Sequence, residues 1–156
     1  AHDDTLARIN RGHDFDCFAR AVRATQNRGI EICAHVILGL PGEDHRRMAG
    51  TIQQVADLGI DGIKLHLLYV IRGTPLERLY RQGRYRCLSQ RDYAQCVCDA
   101  LEALPPDTVI HRLTGDPHPR ELVAPRWALK KAETLDLIHR LLETRGSRQA
   151  SRYRRG

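Results

Sequence analysis

Three side chains of types that bind ligands or carry protons recur on the polar side of two alternating segments. His35 and His66 occupy comparable positions 31 residues apart, each near the end of its segment, and Lys64 shares the polar side with His66. Imidazole titrates near neutral pH, so it can move a proton or hydrogen-bond a ligand. We therefore predict that these three residues contact a substrate. The alternative is structural, with each histidine satisfied inside the fold and Lys64 paired with Glu31.

A glycine-rich turn at residues 39–43, Gly-Leu-Pro-Gly-Glu, follows the first of these segments and precedes a predicted helix. Ligands of parallel α/β folds bind at this carboxyl edge of the sheet. The two glycines allow close approach of a ligand to the backbone, whose N–H and C=O groups can bind a planar base. The turn is not a phosphate loop, because it lacks the Gly-Lys-Ser/Thr ending and Glu43 repels phosphate. A plain strand-to-helix connection is the alternative.

Two loop residues are further candidates. Arg11 precedes Gly12 just before the first long helix, where a guanidinium can bind a carboxylate in bidentate fashion. Asp116 lies between Gly115 and Pro117 and can present its carboxylate to a ligand. Otherwise each is an ordinary side chain of a surface turn.

The five cysteines form no recognisable metal or disulfide pattern. Cys96 and Cys98 are two residues apart on a predicted helix and so point about 200° apart, which suits one metal ion poorly. A zinc site that adds Cys87 and His111 is conceivable, but we predict no metal site. An odd number of cysteines without framework spacing favours reduced thiols in a cytoplasmic protein.

The elements that position these residues follow a repeated strand and helix unit. Residues 30–38 and 62–70 are rich in β-branched and aliphatic side chains and are predicted to be strands. A helix capped by Asp14 precedes the first strand, and a helix capped by Asp44 connects the two. The units repeat at a step of 30 residues, which suits parallel strands joined by a crossover helix.

In both strands one side is aliphatic and the other carries polar groups. Strands covered by helices on both faces are nearly continuous apolar runs, whereas a polar face fits a barrel whose lumen holds a ligand. The sequence therefore favours an α/β fold of the barrel type.

Further elements are predicted downstream. Thr74 and Ser89 are predicted to cap two more helices. Residues 108–113 are predicted to form a short strand, followed by a loop rich in glycine and proline. Residues 126–143 are predicted to form one long amphipathic helix.

The composition is that of a globular chain with a basic end. The formal net charge is +6 at pH 7 and 42% of the residues are hydrophobic, enough for a core. No stretch approaches the ~18 apolar residues of a membrane span, so no membrane partner is expected. Residues 145–156 hold five arginines and no acid. This arm either contacts RNA phosphates or is a solvated, frayed terminus, and we favour the second interpretation.

Several runs resemble the second half of the radical S-adenosylmethionine core, in the branch of the elongator catalytic subunit and oxygen-independent coproporphyrinogen dehydrogenase. The runs are residues 1–6 (Ala-His-Asp-Asp-Thr-Leu), 9–13 (Ile-Asn-Arg-Gly-His) and 39–43. Three further runs are similar to the bacterial family typified by YhcC. They are residues 63–70 with 73–76 (Gly-Thr-Pro-Leu), 111–116 (His-Arg-Leu-Thr-Gly-Asp), and 125–127 (Pro-Arg-Trp) with 130–131. The resemblance covers residues 1 to about 145.

The resemblance implies part of a (β/α)6 barrel of the TIM type with a C-terminal helical extension. S-adenosylmethionine would lie across the carboxyl ends of the strands. By similarity, Arg11 binds the methionine carboxylate, Ile37 and Gly39 flank the adenine, and backbone near Leu68 and Tyr69 contacts the adenine edge.

The resemblance also implies a division of the chain. Residues 1–104 form the C-terminal half of the barrel, and residues 105–144 form a family-specific strand, loop and helix. Residues 145–156 form a basic, disordered tail.

The chemistry of the family requires three cysteines spaced Cys-x3-Cys-x2-Cys, which hold a [4Fe–4S] cluster. None of the cysteine spacings here fits this pattern. We therefore expect a C-terminal fragment that, by itself, binds no cluster and generates no 5′-deoxyadenosyl radical.

The expected function is the S-adenosylmethionine-binding and substrate-facing half of an iron–sulfur enzyme whose whole form modifies tRNA or a small metabolite. Whether this chain alone is an enzyme stays open, and no catalytic residue is assigned. The expected partners are the missing N-terminal half of the barrel and tRNA, bound through residues 145–155. The alternatives are a non-catalytic RNA-binding module and a non-functional remnant of a split gene.

Overall fold

The computed structural model describes residues 1–154, and Arg155 of the basic tail lies outside them. The six helices are α1 (Asp3–Arg8), α2 (Phe15–Thr25), α3 (His45–Asp57), α4 (Pro75–Arg81), α5 (Gln90–Ala103) and α6 (Lys131–Arg145). The five strands are β1 (Cys33–Leu38), β2 (Gly62–Leu67), β3 (Val70–Ile71), β4 (Val109–Arg112) and β5 (Leu122–Ala124). A short 3-10 helix spans Arg126–Leu129.

Four of the predicted helix starts are confirmed, and each of these four depends on a capping side chain. Asp14 accepts a hydrogen bond from the backbone of Cys17 at 2.7 Å, and Asp44 accepts one from Arg47 at 2.8 Å. Thr74 and Ser89 accept equivalent bonds at the starts of α4 and α5. These oxygens satisfy backbone donors that a helix leaves free in its first turn.

The main sheet is parallel, with strand order β1-β2-β4. Its aliphatic face is buried under α3, α5 and α6. The largest side chains of this core are fully buried and include Leu38, Ile52, Ile63, Leu65, Leu67, Tyr93, Leu104 and Ile138. The opposite face carries His35, Lys64 and His66, which are half-buried or exposed. The predicted division between an aliphatic and a polar face is thus confirmed.

A small second sheet pairs the end of the predicted strand 62–70, which breaks after Leu67, with a stretch that the sequence predicts to be a loop. β5 pairs antiparallel with β3, with Val70 opposite Ala124. Together with Tyr85, these two residues form a separate apolar cluster. The short strand was not predicted because its three residues gain their pairing only from a partner some fifty positions away.

The predicted helix over residues 126–143 is wrong in its first turn and in its end. Lys130 has φ −101° and ψ 61°, which is not helical, so a 3-10 helix ends there and α6 begins at Lys131. The far end extends to Arg145, where Gly146 adopts a left-handed conformation and caps the helix in the way glycine commonly does.

The basic tail differs from the expected frayed terminus over its described part. Glu102 of α5 is fully buried, and its Oε1 accepts hydrogen bonds from Arg145 at 3.2 Å and from Ser147 at 2.6 Å. Its Oε2 lies 3.0 Å from Nε of Arg152. The backbone N–H groups of Ala150 and Arg152 donate to carbonyls of α5. One buried carboxylate therefore holds the chain after α6 against α5.

No helix among residues 1–154 is long and apolar enough to cross a membrane.

Replacing Glu102 by Ala is expected to lower the free energy of unfolding by about 2–3 kcal/mol, because hydrogen bonds to charged groups are lost. Backbone amides of residues 146–152 should then exchange faster with solvent. Chemical denaturation and hydrogen exchange measure the two effects. Glu143→Ala, on the exposed side of α6, is the matched control and should stay within about 0.5 kcal/mol of the parent. Equal losses in both variants would contradict this assignment.

Candidate functional site

The glycine turn at residues 39–43 is held in one conformation by contacts from distant elements. Gly39 has φ +90° and Gly42 has φ +84°, values that side chains rarely tolerate. The carbonyl of Gly39 accepts a hydrogen bond from the hydroxyl of Tyr85 at 2.9 Å, and its N–H donates to Sδ of Met48 at 3.2 Å. The C=O and N–H groups of Gly39 are thus both hydrogen-bonded within the protein, so Gly39 contributes to a site only through the shape of the turn.

Gly42 gives room to an arginine. A Cβ at this position would collide with the guanidinium of Arg8, which donates to the carbonyl of Pro41 at 3.2 Å. The helix α1 is thereby tied to the turn, and the loop that follows α1 is carried to the same end of the sheet.

A cleft of about 660 Å³ lies beside this turn, along the outer edge of β1. Since β1 is the last strand of the sheet, residues from both of its faces reach the cleft. The apolar lining includes Phe15, Phe18, Ala34, Val36, Ile37 and Val55, and the polar lining includes Arg11, His13, His35, Glu43 and His66. The volume is in the range of small-molecule sites.

The cleft brings together four of the predicted site residues, namely Arg11, Ile37, His35 and His66. Ile37 is 41% exposed, an unusual position for a large aliphatic side chain in a strand. An exposed apolar side chain beside polar groups is typical of a surface that packs against a ligand.

Glu43 is the residue that the sequence did not single out as a ligand contact. Its Oε1 is buried and has no hydrogen-bond partner within residues 1–154, and the residue lines the cleft. Buried carboxylate oxygens are nearly always hydrogen-bonded, so this oxygen is available for a hydroxyl or ammonium group of a ligand. In the sequence, only the location of Glu43 after Pro-Gly at the start of a helix could have indicated a ligand contact.

The end of β2 is organised around His66. Its Nδ1 lies 2.7 Å from the carbonyl oxygen of Leu67, which makes Nδ1 the donor and leaves Nε2 for a ligand. The ring packs on Tyr69 at 5.2 Å between centroids. Gly115 lies against both rings, and a Cβ there would approach His66 within 2.9 Å. Burial raises the pKa of Tyr69, so its hydroxyl stays protonated at neutral pH.

The other predicted site residues lie away from the cleft lining. The amide of Leu68 donates to the carbonyl of Leu38 at 2.9 Å and so is not free for a ligand. Asp116 is an exposed side chain 4.0 Å from Nζ of Lys131. Lys64 lies directly across the sheet from His35 and makes no ion pair with Glu31 or with another acid in the described chain.

His35 has an unusual electrostatic environment. Burial lowers the pKa of its imidazole, and the positive charges of Lys64, Arg112, His66 and His111 lower it further. The polar face of the sheet is therefore a region of positive potential.

A second polar cluster lies on the opposite face and is chemically inert. Sγ of Cys96 is 3.3 Å from Nδ1 of His45, whose Nε2 is 2.7 Å from Oδ2 of Asp99. This arrangement of thiol, imidazole and carboxylate resembles that of a cysteine nucleophile with its general base. Burial, with the nearby carboxylates of Asp99 and Asp92, raises the pKa of the Cys96 thiol to about 11. The thiol is therefore protonated at neutral pH and lacks the thiolate that attack requires.

No three His, Cys, Asp or Glu side chains of residues 1–154 converge in a way that could hold a metal ion.

The chain is similar to known proteins over nearly its whole length. Residues 60–144 match the radical SAM C-terminal domain. The protein YtqA of Bacillus subtilis is 44% identical over 154 residues, which are 99% of this chain and 48% of YtqA. The protein YhcC of Escherichia coli is 35% identical over 146 residues, which are 94% of this chain and 47% of YhcC. The chain thus spans about half the length of these curated relatives.

A solved structure has the same fold. The archaeal Elp3 of Methanocaldococcus infernus, with an N-terminal deletion, superimposes with a TM-score of 0.84 at 20% identity, over 95% of this chain and 35% of that one. The α/β fold is therefore that of the matching part of Elp3. With the family match, this confirms the resemblance found in the sequence.

Replacing Tyr85 by Phe is expected to lower the free energy of unfolding by about 1–2 kcal/mol, because the buried carbonyl of Gly39 loses its donor. Urea denaturation measures this change. Tyr80→Phe is the matched control, since Tyr80 is 37% exposed and donates no side-chain hydrogen bond within residues 1–154. A loss of equal size in the control would show that the hydroxyl at position 85 does not hold the turn.

Proposed function

The chain belongs to the radical SAM C-terminal domain family, and we propose that it supplies the S-adenosylmethionine-binding and substrate-facing part of a radical S-adenosylmethionine enzyme. The observation that carries this proposal is that Arg11 and the unpartnered oxygen of Glu43 line one cleft beside the glycine turn. A cation and an anion in one cleft complement the carboxylate and the ammonium or ribose hydroxyls of the ligand.

The residues present fit S-adenosylmethionine. Arg11 would bind the carboxylate, Glu43 would accept from an ammonium or hydroxyl group, and the exposed Ile37 would pack against the adenine. Gly39 supports this arrangement by its shape alone, because its N–H and C=O groups are already bonded. When bound to a cluster, S-adenosylmethionine supplies the 5′-deoxyadenosyl radical of the family.

The residues present do not fit a [4Fe–4S] cluster. Cys17 is exposed on α2, Cys33 and Cys87 are half-buried, and Cys96 and Cys98 are buried within α5. Because three thiolates must converge on one cluster, we propose that the cluster of the whole protein is bound by residues outside this chain, and no step is assigned to it here.

The partner we propose is an N-terminal half that completes a partial (β/α)6 barrel. β1 has a free edge, and the cleft beside it is apolar on the side of Phe15, Phe18 and Val55. An edge strand that is unpaired within residues 1–154 and lies next to an apolar cleft can pair with an added strand. The apolar side of the cleft would then receive that strand, while the polar side keeps the ligand.

For the whole protein we propose modification of tRNA or of a small metabolite in the cytoplasm, with His35, Lys64, His66 and Asp116 as candidate substrate contacts. The non-catalytic alternative, an RNA-binding module that uses the arginine tail, is less favoured. Arg145 pairs with Asp99 and Glu102, and Arg152 pairs with Glu102. Those two charges are therefore partly compensated within the protein.

Replacing Arg11 by Gln should weaken binding of S-adenosylmethionine at least tenfold, about 1.4 kcal/mol, because a charge-assisted contact to the carboxylate is lost. Binding of adenosine, which has no carboxylate, should change less than twofold. Isothermal titration calorimetry measures both. Arg23→Gln, an exposed arginine of α2, is the control and should bind both ligands like the parent. Absence of S-adenosylmethionine binding to the parent chain, or equal losses for both ligands, would overturn the assignment of Arg11.

Co-expression with the part of YtqA that this chain does not match should yield a complex. Hydrogen exchange in β1 should slow in that complex, because its free edge gains a partner strand, while exchange in α6 should not change. Mass spectrometry of both samples measures this. A mixture that does not associate would count against the proposed barrel.

A further inference from the structure

The polar face of the sheet carries three basic side chains in direct register. His35 of β1 lies opposite Lys64 of β2, and Lys64 lies opposite Arg112 of β4. Neighbouring strands are about 4.8 Å apart, and directly paired residues point to the same face. The three side chains, here called the basic row, therefore leave the sheet within about 10 Å of one another.

A bulge in β4 completes this row. Ile63 pairs with Ile110, yet Lys64 pairs with Arg112, so His111 is an extra residue in β4. Such bulges redirect side chains and are common beside functional sites. Here the bulge moves Arg112 into register with Lys64.

Two imidazoles extend the row along the strand direction. The bulged His111 lies over Gly62, where a Cβ would come within 2.6 Å of its Nε2. His66 follows Lys64 on the same face of β2 and keeps its Nε2 free of its own backbone contact. The face therefore presents a guanidinium, an ammonium and three imidazoles.

The charges of the basic row are not compensated within residues 1–154. Neither Lys64 nor Arg112 has a carboxylate within 4.0 Å there, although Arg47, Arg81, Lys130 and Arg145 all do. Like charges placed directly opposite each other destabilise a sheet. The basic row is therefore an unfavourable cluster of like charges at one face of the sheet, which an anion would relieve.

We propose that the basic row binds a multiply charged oxyanion group of the substrate, either a phosphate or a polycarboxylate. This proposal rests on the proposed function, which makes this face the substrate side. It goes further by naming the chemical class and by adding Arg112 and His111 to the site. Arg112 offers a planar donor pair for two oxygens, Lys64 offers a point charge, and an imidazole donates or accepts one further bond. Arg11 remains the partner of the methionine carboxylate.

The test is calorimetric titration of the whole chain, at low ionic strength and without S-adenosylmethionine, with inorganic pyrophosphate in one arm and citrate in the other. Lys64→Met and Arg112→Met should each weaken binding of the preferred anion at least tenfold. Arg78→Met, an exposed arginine of α4 without an ion pair among residues 1–154, should change it less than twofold. The arm with the tighter binding distinguishes phosphate from polycarboxylate.

Thermal melting separates loss of the site from loss of the fold. Without anion, Lys64→Met should melt at or above the temperature of the parent, because a repulsive charge is removed. The preferred anion should raise the melting temperature of the parent and not that of Lys64→Met. In the parent it should also raise the pKa of His35, measured by NMR.

Three results would overturn the proposal. The first is that neither anion binds the parent at millimolar concentration. The second is that Lys64→Met and Arg112→Met bind the anion as tightly as the parent. The third is that Arg78→Met loses as much anion binding as those two variants. Arg23→Gln, an exposed arginine of α2 outside both sites, should retain anion binding, and S-adenosylmethionine is titrated into the parent separately. A failure of the S-adenosylmethionine site is thereby distinguishable from a failure of the basic row.

Discussion

The alternation of aliphatic and polar residues in β1 and β2 is the constraint on which the rest of the structure depends. Ala34, Val36 and Leu38 must face the helices, and the register with β2 places its own aliphatic residues on the same side. A slip of one residue would bury His35 and Lys64 and expose the core. Because burying an unpaired charge costs far more than exposing it, the basic residues are confined to the open face. The site is thus a consequence of the packing of the core.

The open face and the strand ends are then shaped by contacts that come from far along the chain. Tyr85 holds the carbonyl of Gly39, Arg8 occupies the space that Gly42 leaves, and Gly115 lies against His66. Each contact joins a loop to the carboxyl edge of the parallel sheet, where ligands of such folds bind. The turn at residues 39–43 and the loop at Gly115 are therefore held in fixed positions by distant residues.

The match to the radical SAM family agrees with the residues that this chain contains, because the chain covers only part of each relative. The chain spans about half of YtqA and YhcC, and its five cysteines do not converge. The chain carries a cation, an unpartnered carboxylate oxygen and an exposed apolar side chain in one cleft, which is the basis of the proposed binding of S-adenosylmethionine. It has no set of thiolates for the cluster in its described part. Binding and radical formation are thus assigned to different parts of the proposed enzyme.

Local signals in the sequence were enough for the helix caps at Asp14 and Asp44 and for the two unlike faces of β1 and β2, because each depends on residues within one or two turns of chain. The parallel order of these strands followed from the repeat of the strand and helix unit at a step of 30 residues. The family resemblance also followed from short runs of residues. The tertiary structure alone decided the strand β5, the attachment of the basic tail to Glu102, the unpartnered oxygen of Glu43 and the alignment of Arg112 with Lys64. These features depend on groups tens of residues apart, or on a bulge that shifts the register by one. No local pattern encodes them, because they exist only when distant segments share one site.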